Sequence, residues 1–521
     1  MKHRGLIKEV IGFLCITLFS LFSYGSNIDG DYCTVSAINN GLTDSGNYLI
    51  KVTPDTLRVL RNPLSGWVVY ASANAGRDFW TKYDNMLVGT SGNRVKVSDY
   101  AHTIYIRTSW TKLNPQEDVY GWDVDENLKW MIENARKRGM RLAFRVVVDS
   151  RDKFTDFTPQ YVKNAGAEGY ETQTGNKTLW SPYSDDPVFQ KKYEKFIKAF
   201  AKKFNDPDQV DFIDGYGLGK WGEAHAVIYK DASNREKVFK WCIDLYSKYF
   251  TKVPLAINYH RLVGVGESWG SPDPDSEKLL DYAVKKGYSL RQDAFGMTGY
   301  YGQWEKNYAA KWRYKRPIIM EGGWVTLNHH SYWKDPRQYK SIADVRQGEF
   351  DDSKEAHVNM MDFRFRETES WFEDQFPLVQ KFITEGGYRL YPDELSLPVS
   401  AKKGSKVEIK HRWNNLGWGY CPNNLPQWNF KYKVAFALLD ISTREPKYIF
   451  IDKKSDPSEW LKNNAVDYIF SPSLKGVTAG KYIWGVALVD TSARNEVGLE
   501  ISAKGDFTSA GWLSLFNVVI K

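Results

Sequence analysis

Cysteine is scarce in this chain: four occur in 521 residues, Cys15, Cys33, Cys242 and Cys421. No two form a CxxC pair, so a structural zinc site is not indicated, and a chain of this size has no need of a disulfide framework. Long apolar runs are missing beyond the first 25 residues, so no later segment is read as a membrane span. The net charge of +8 is spread along the chain. There is no basic block with interleaved aromatics, and nucleic acid is not an implied partner. No GxSxG elbow is present, which argues against a serine esterase. No HExxH occurs. His329, His330 and His357, with Trp333 nearby, lack matching carboxylate spacing, so no metal is expected. No cofactor motif is seen.

The first apolar stretch has another reading. Lys2, Arg4 and Lys8 precede an apolar run from Val10 to Phe22, and Ser23-Tyr24-Gly25 follows. That order is a secretory signal peptide over 1–25, cleaved before Ser26. It implies a periplasmic or extracellular protein. Cys15 follows Leu14 where a lipoprotein box needs a small residue, so lipidation is not expected. Residues 26–60 read as an N-terminal extension with one strand.

Aromatics are plentiful, at 15% of residues with 20 Trp. Flat indoles suit the apolar face of a sugar, although a large core uses them too. From 61 to 386 short β-type runs alternate with stretches of helical period. The runs are GWVVYAS (66–72), TIYIRTSW (103–110), RLAFRVVVD (141–149), DFIDGYGLG (211–219), PLAINYH (254–260), YSLRQDAFG (288–296), RPIIMEGGW (316–324) and HVNMMDF (357–363). Helical faces include Phe189, Tyr193, Phe196, Ile197, Phe200 and Phe204, and Leu279, Leu280 and Ala283 closed by Gly287. Eight such pairs predict an α/β fold, a (β/α)₈ TIM barrel. A doubly wound open sheet is the alternative, but no Gly-rich phosphate loop follows the first strand. Residues 387–521 alternate with period two, as in KYKVAFALLD and KYIWGVALVD, and predict a C-terminal antiparallel β-sandwich.

In such barrels the active site lies at the C-terminal ends of the strands. The fourth run ends in Lys220-Trp221-Gly222-Glu223 and the seventh in Met320-Glu321-Gly322-Gly323-Trp324. Two carboxylates across a barrel mouth are what glycosidic bond hydrolysis needs, one protonated and one ionised. Glu223 and Glu321 are therefore the candidate catalytic pair.

These residues resemble clan A glycoside hydrolases. SWTKLNPQEDVYGWD (109–123) is similar to the clan's segment after strand two, through Trp110, Leu113, Pro115, Tyr120 and Trp122. Within the clan the chain is most similar to a group of secreted proteins with NPLSGW (62–67) opening the barrel and WNNLGWGYCPNN (413–424) in a C-terminal sandwich. The resemblance implies a retaining mechanism, with Glu223 as acid/base, Glu321 as nucleophile and a carboxyl separation of about 5–5.5 Å. One position departs from the pattern: Gly222 stands where many members have an Asn that bonds the sugar 2-hydroxyl. Asn258 or His260 could supply that contact. Arg107 resembles the clan's Arg that orients and ionises the nucleophile, and Arg145 has the same reading. Trp110, Trp221 and Trp324 are expected to line the cleft, and Asp293 to point inward toward sugar or Arg291. The implied partner is a poly- or oligosaccharide. A catalytically inactive glycan-binding barrel is the alternative reading. The sandwich is expected to pack as a rigid companion, with Trp413, Trp418 and Trp428 as its candidates for glycan contact.

Overall fold

The computed structural model describes residues 41–42, 46–72, 75–266, 270–323 and 331–521. Eight parallel strands close a barrel in chain order: β1 (Gly66–Ser72), β2 (Ala101–Ser109), β3 (Arg141–Val147), β4 (Val210–Asp214), β5 (Leu255–Asn258), β6 (Ser289–Phe295), β7 (Ile318–Gly322) and β8 (Met360–Phe363). Each overlaps one of the eight β-type runs. Closure is made by β8 on β1, with Met361 opposite Trp67 and Phe363 opposite Val69. That pairing excludes the open doubly wound sheet.

The helices between strands bury the stripes seen in the sequence. They include α1 (Glu126–Lys137), α2 (Pro187–Phe204), α3 (Arg235–Tyr249), α4 (Ser276–Lys285), α5 (Gln303–Trp312), α6 (Ile342–Ala356) and α7 (Phe376–Glu385). α2 starts where Asp186 accepts the Phe189 N–H at 2.7 Å and Pro187 enters the first turn, a favourable N-terminus. Its six aromatic and aliphatic stripe residues are all buried. An antiparallel hairpin, Gly169–Thr174 with Lys177–Pro182, fills the connection between β3 and α2.

The C-terminal part is β9 (Leu390–Pro398), β10 (Ile409–Asn415), β11 (Tyr432–Leu439), β12 (Pro446–Asp452), β13 (Val466–Phe470), β14 (Gly480–Asp490) and β15 (Leu513–Ile520). β9, β10 and β13 form one sheet, and the N-terminal strand Asn47–Lys51 joins it beside β9. β12, β11, β14 and β15 form the other, with the short strands Ser400–Ala401 beside β15 and Glu496–Leu499 beside β14. The alternating residues Val434, Phe436, Leu438, Trp484, Val486 and Leu488 pack with Leu395, Leu397, Ile409 and Trp413 of the facing sheet. The same cluster reaches Val68, Phe212, Ala256, Ile319 and Met360 inside the barrel. Trp418 enters the barrel's helical layer against Phe350 and Phe382, with ring centroids 5.4 and 5.5 Å away. Asn359, before β8, donates to the carbonyls of Leu64 and Tyr420. Trp413, Trp418 and Trp428 are all buried, so the suggestion that they offer a glycan surface is corrected: they are core.

Candidate active site

Strand alternation builds the site. Successive inward residues lie two apart, and in this barrel an apolar or aromatic one is followed by a polar one. Tyr105 is followed by Arg107, Ala143 by Arg145, Phe212 by Asp214, Ala256 by Asn258, Ile319 by Glu321 and Met360 by Asp362. Tyr105, Ala143, Phe212, Ala256, Ile319 and Met360 cluster together. One step toward the strands' C-terminal ends, five ionic groups and the Asn258 amide replace them.

Glu223 is not on β4 itself. The strand stops at Asp214, and Gly217 and Gly219 follow at φ of +79° and +75°. A Cβ on Gly217 would sit 2.5 Å from the Val146 carbonyl oxygen, so only glycine lets the chain turn there. The loop then closes on itself. Lys220 N–H donates to the His225 carbonyl at 2.8 Å, Ala224 N–H to Leu218 at 3.1 Å and Ala226 N–H to Val265 at 2.7 Å. Trp221, Ala224 and Ala226 hold φ of 58°, 62° and 44°. Strain of this kind persists where the surroundings over-determine it, often at functional sites. The shape presents Glu223 to the barrel mouth while its own carbonyl accepts from His260 Nε2 at 2.9 Å.

Glu321, next to last in β7, has no exposed surface, and Glu223 is 2% exposed. One guanidinium joins them: Arg145 Nη1 pairs with Glu223, and Arg145 Nη2 lies 3.7 Å from Glu321. Arg145 Nε also bonds Asp214 at 2.8 Å. Glu321 is further held by Arg291 and Arg364, each at 3.0 Å. Arg291 in turn bonds Asp362 at 2.6 Å. The two carboxyls titrate in opposite directions. Burial, then the charge of Asp293, pushes Glu223 up to about 7 against the pull of Arg145 and Arg107. Burial would raise Glu321 as well, but Arg291, Arg364, Arg145 and Arg107 hold it down at about 2. Below about pH 7 a protonated acid and an ionised carboxylate thus stand side by side.

Arg107 lies 3.3 Å from Glu223 and donates to the Tyr70 hydroxyl at 3.0 Å. It contacts the candidate acid, where the resemblance implied a partner for the nucleophile. Arg145 is buried against three carboxylates and serves them rather than an incoming sugar. Asn258 is 4% exposed, and neither atom of its amide finds a hydrogen-bond partner among the described residues. Asp293 brings a carboxylate oxygen within 4.8 Å of Glu223 and His225, a trio that could hold a cation. Trp221 is half-buried, with its ring 5.6 Å from that of His225.

Two expectations are corrected. Trp110 is fully buried between β2 and α2, against Tyr193 and Phe196. Ser109 caps a short helix starting at Trp110 and directs the indole away from the cleft. His260 is also fully buried. Its Nδ1 accepts from the Leu262 N–H, and its Nε2 donates to the Glu223 carbonyl. It is a neutral prop for the acid's loop and not a sugar ligand. Trp324, His329 and His330 lie outside the described residues. The sequence reading missed Asp214, Arg364 and Asp362, and gave Arg291 only as a partner for Asp293. The signal that could have found Asp214 and Asp362 is a polar residue two positions beyond an inward apolar one.

No protein-family model matches the chain, and no curated protein does. Solved structures do. The catalytic domain of a β-amylase from Paenibacillus polymyxa aligns at 9% identity and TM-score 0.40, over 62% of this chain and 98% of that one. Endo-glycoceramidase II from Rhodococcus sp. aligns at 12% and 0.37, over 81% and 99%. A broad specificity endoglucanase from an uncultured bacterium aligns at 11% and 0.39, over 64% and 96%. These neighbours are glycoside hydrolases, but at such distances neither residues nor substrates transfer from them.

Proposed function

We propose that the protein is a secreted glycoside hydrolase acting with retention of anomeric configuration. The observation that carries this reading is the pairing of Glu223 and Glu321 on the single guanidinium of Arg145 at the barrel mouth. A shared guanidinium keeps the two carboxyls facing one cleft, as the ~5–5.5 Å separation of retaining sites requires.

The chemistry divides between the pair. Glu321, ionised, attacks the anomeric carbon. Glu223, in the protonated form that its raised pKa favours, gives its proton to the departing glycosidic oxygen. A covalent glycosyl ester on Glu321 results. Glu223, now a carboxylate beside Arg145 and Arg107, takes a proton from water as that water attacks the same carbon. The sugar leaves with its original configuration, and both carboxyls return to their starting states. Asn258 supplies donor and acceptor to a sugar hydroxyl, in place of the side chain that Gly222 lacks. Trp221 offers its ring to a sugar face. The signal-like residues 1–25 support export to the periplasm or beyond.

The test is release from a panel of aryl glycosides by the wild type and by Glu321→Gln. The wild type should turn over at least one, and the amide should cut turnover by several orders of magnitude while binding survives. A wild type that binds glycans, cleaves none and is indifferent to the substitution would make the barrel a binding scaffold instead.

A further inference from the structure

The turn that follows β3 is tied to the loop of the candidate acid. Lys153 N–H closes this turn on the Ser150 carbonyl at 3.1 Å. Asp152 pairs with Lys220 at 2.7 Å, and Arg151 donates to the Ala226 carbonyl at 2.6 Å. These contacts clamp the turn to the loop on both sides of Glu223. Lys153 stands on it, half-buried, within electrostatic reach of Arg107 and Glu223.

The neighbouring cations all have carboxylates. Arg107 meets Glu223, Arg151 meets Asp149, Lys220 meets Asp152, and Arg364 meets Glu321. Arg145 and Arg291 each meet more than one. Lys153 has no carboxylate at ion-pair distance among the described residues. Its ammonium lies 5.6 Å from the Phe157 ring, a contact that suits a cation but cancels no charge. A partly desolvated ammonium without a counter-ion is costly. Burial, then the charge of Arg107, pushes Lys153 down to about 8 against the longer-range pull of Glu223, Asp152 and Asp149, which still leaves it charged at neutral pH.

We propose that the substrate supplies the missing anion: a sugar next to the scissile bond carries a carboxylate or a sulfate ester, and Lys153 is its counter-ion. This rests on the glycosidase reading above. It places the charged group of that sugar toward the turn after β3, beside the loop that carries Glu223.

The experiment compares kcat/KM on 4-nitrophenyl glucosides and galactosides of both anomers with that on their uronides and 6-sulfates. The wild type should favour one acidic series over its neutral parent by about tenfold or more, the scale of a hydrogen bond to a charged group. Which series is favoured separates carboxylate from sulfate. Lys153→Met should collapse the acidic-to-neutral ratio, chiefly through KM, and Lys153→Arg should restore most of it. A wild-type ratio at or below one, or a ratio that Lys153→Met leaves unchanged, overturns the inference while the glycosidase reading stands. If no glycoside of any kind is cleaved, that reading fails. Calorimetric titration of wild type and Lys153→Met with glucuronate, glucose 6-sulfate and glucose then decides the inference, and equal binding of the three overturns it.

Discussion

Arg145 connects the two halves of the proposed chemistry, because its guanidinium touches both Glu223 and Glu321. The carboxyls differ in what else surrounds them. Glu321 has Arg291 and Arg364 as well, whereas Glu223 has Asp293 at close range. This asymmetry predicts a pH profile. Activity requires ionised Glu321 and protonated Glu223, so kcat/KM should be sustained through the acid range and fall as pH rises through about 7. Asp293→Asn removes a negative charge that disfavours ionisation of Glu223. Its pKa should drop, and the alkaline limb should move to lower pH. An alkaline limb that stays put or moves upward would show that Asp293 does not tune the acid. At this scale the two glutamates were legible because each follows a β-run beside glycines and an aromatic. Asp362 was not, since the run HVNMMDF shows no clear alternation from which its inward phase could be read, and the strand within it is only four residues long. Trp110 was misread because a strand-end aromatic can face either way, and Ser109, by starting a helix, turned it outward.

The loop from Gly215 to Ala226 is the element on which the proposed catalysis depends, and its Gly217 is more constrained than an ordinary turn glycine. Gly217 has positive φ, and its Cβ position lies 2.5 Å from the Val146 carbonyl oxygen and 2.7 Å from the Tyr193 hydroxyl. Gly175, in the hairpin after β3, has positive φ of 59° with nothing within 4 Å. Gly175→Ala should therefore cost only the backbone term, ~1–2 kcal/mol, and leave kcat/KM unchanged. Gly217→Ala should lower Tm further and also reduce kcat/KM, because the loop carrying Glu223 must shift. Thermal melts and kinetics on the two variants check this, and equal effects would contradict it. The barrel strands were readable as apolar runs, but the fourth was read as far as 219 and stops at Asp214. Period and residue type alone do not show where glycines leave the extended region. The joining of Asn47–Lys51 to the C-terminal sheet was not readable either, since its partner β9 lies more than 300 residues away.

On the scale of the whole molecule, barrel and sandwich share one apolar cluster, and Trp418 of the C-terminal part sits among barrel side chains. The two should melt together. Calorimetry should give a single transition, and Trp418→Ala should lower it by ~3–5 kcal/mol of stability. Two separate transitions would mean that the sandwich is an independent module. A scaffold tied together in this way can hold Glu223 and Glu321 in fixed register, and the central claim is that this register performs a double displacement. The measurement that reaches it most directly is chemical rescue of Glu223→Ala. With an activated aryl glycoside the variant should still form the glycosyl ester on Glu321 and then stall for want of a base. Added azide, which needs no base, should restore turnover and yield a glycosyl azide of the substrate's own anomeric configuration. An azide product of inverted configuration, or no rescue of a variant that remains folded and binds the substrate, would contradict the retaining pair.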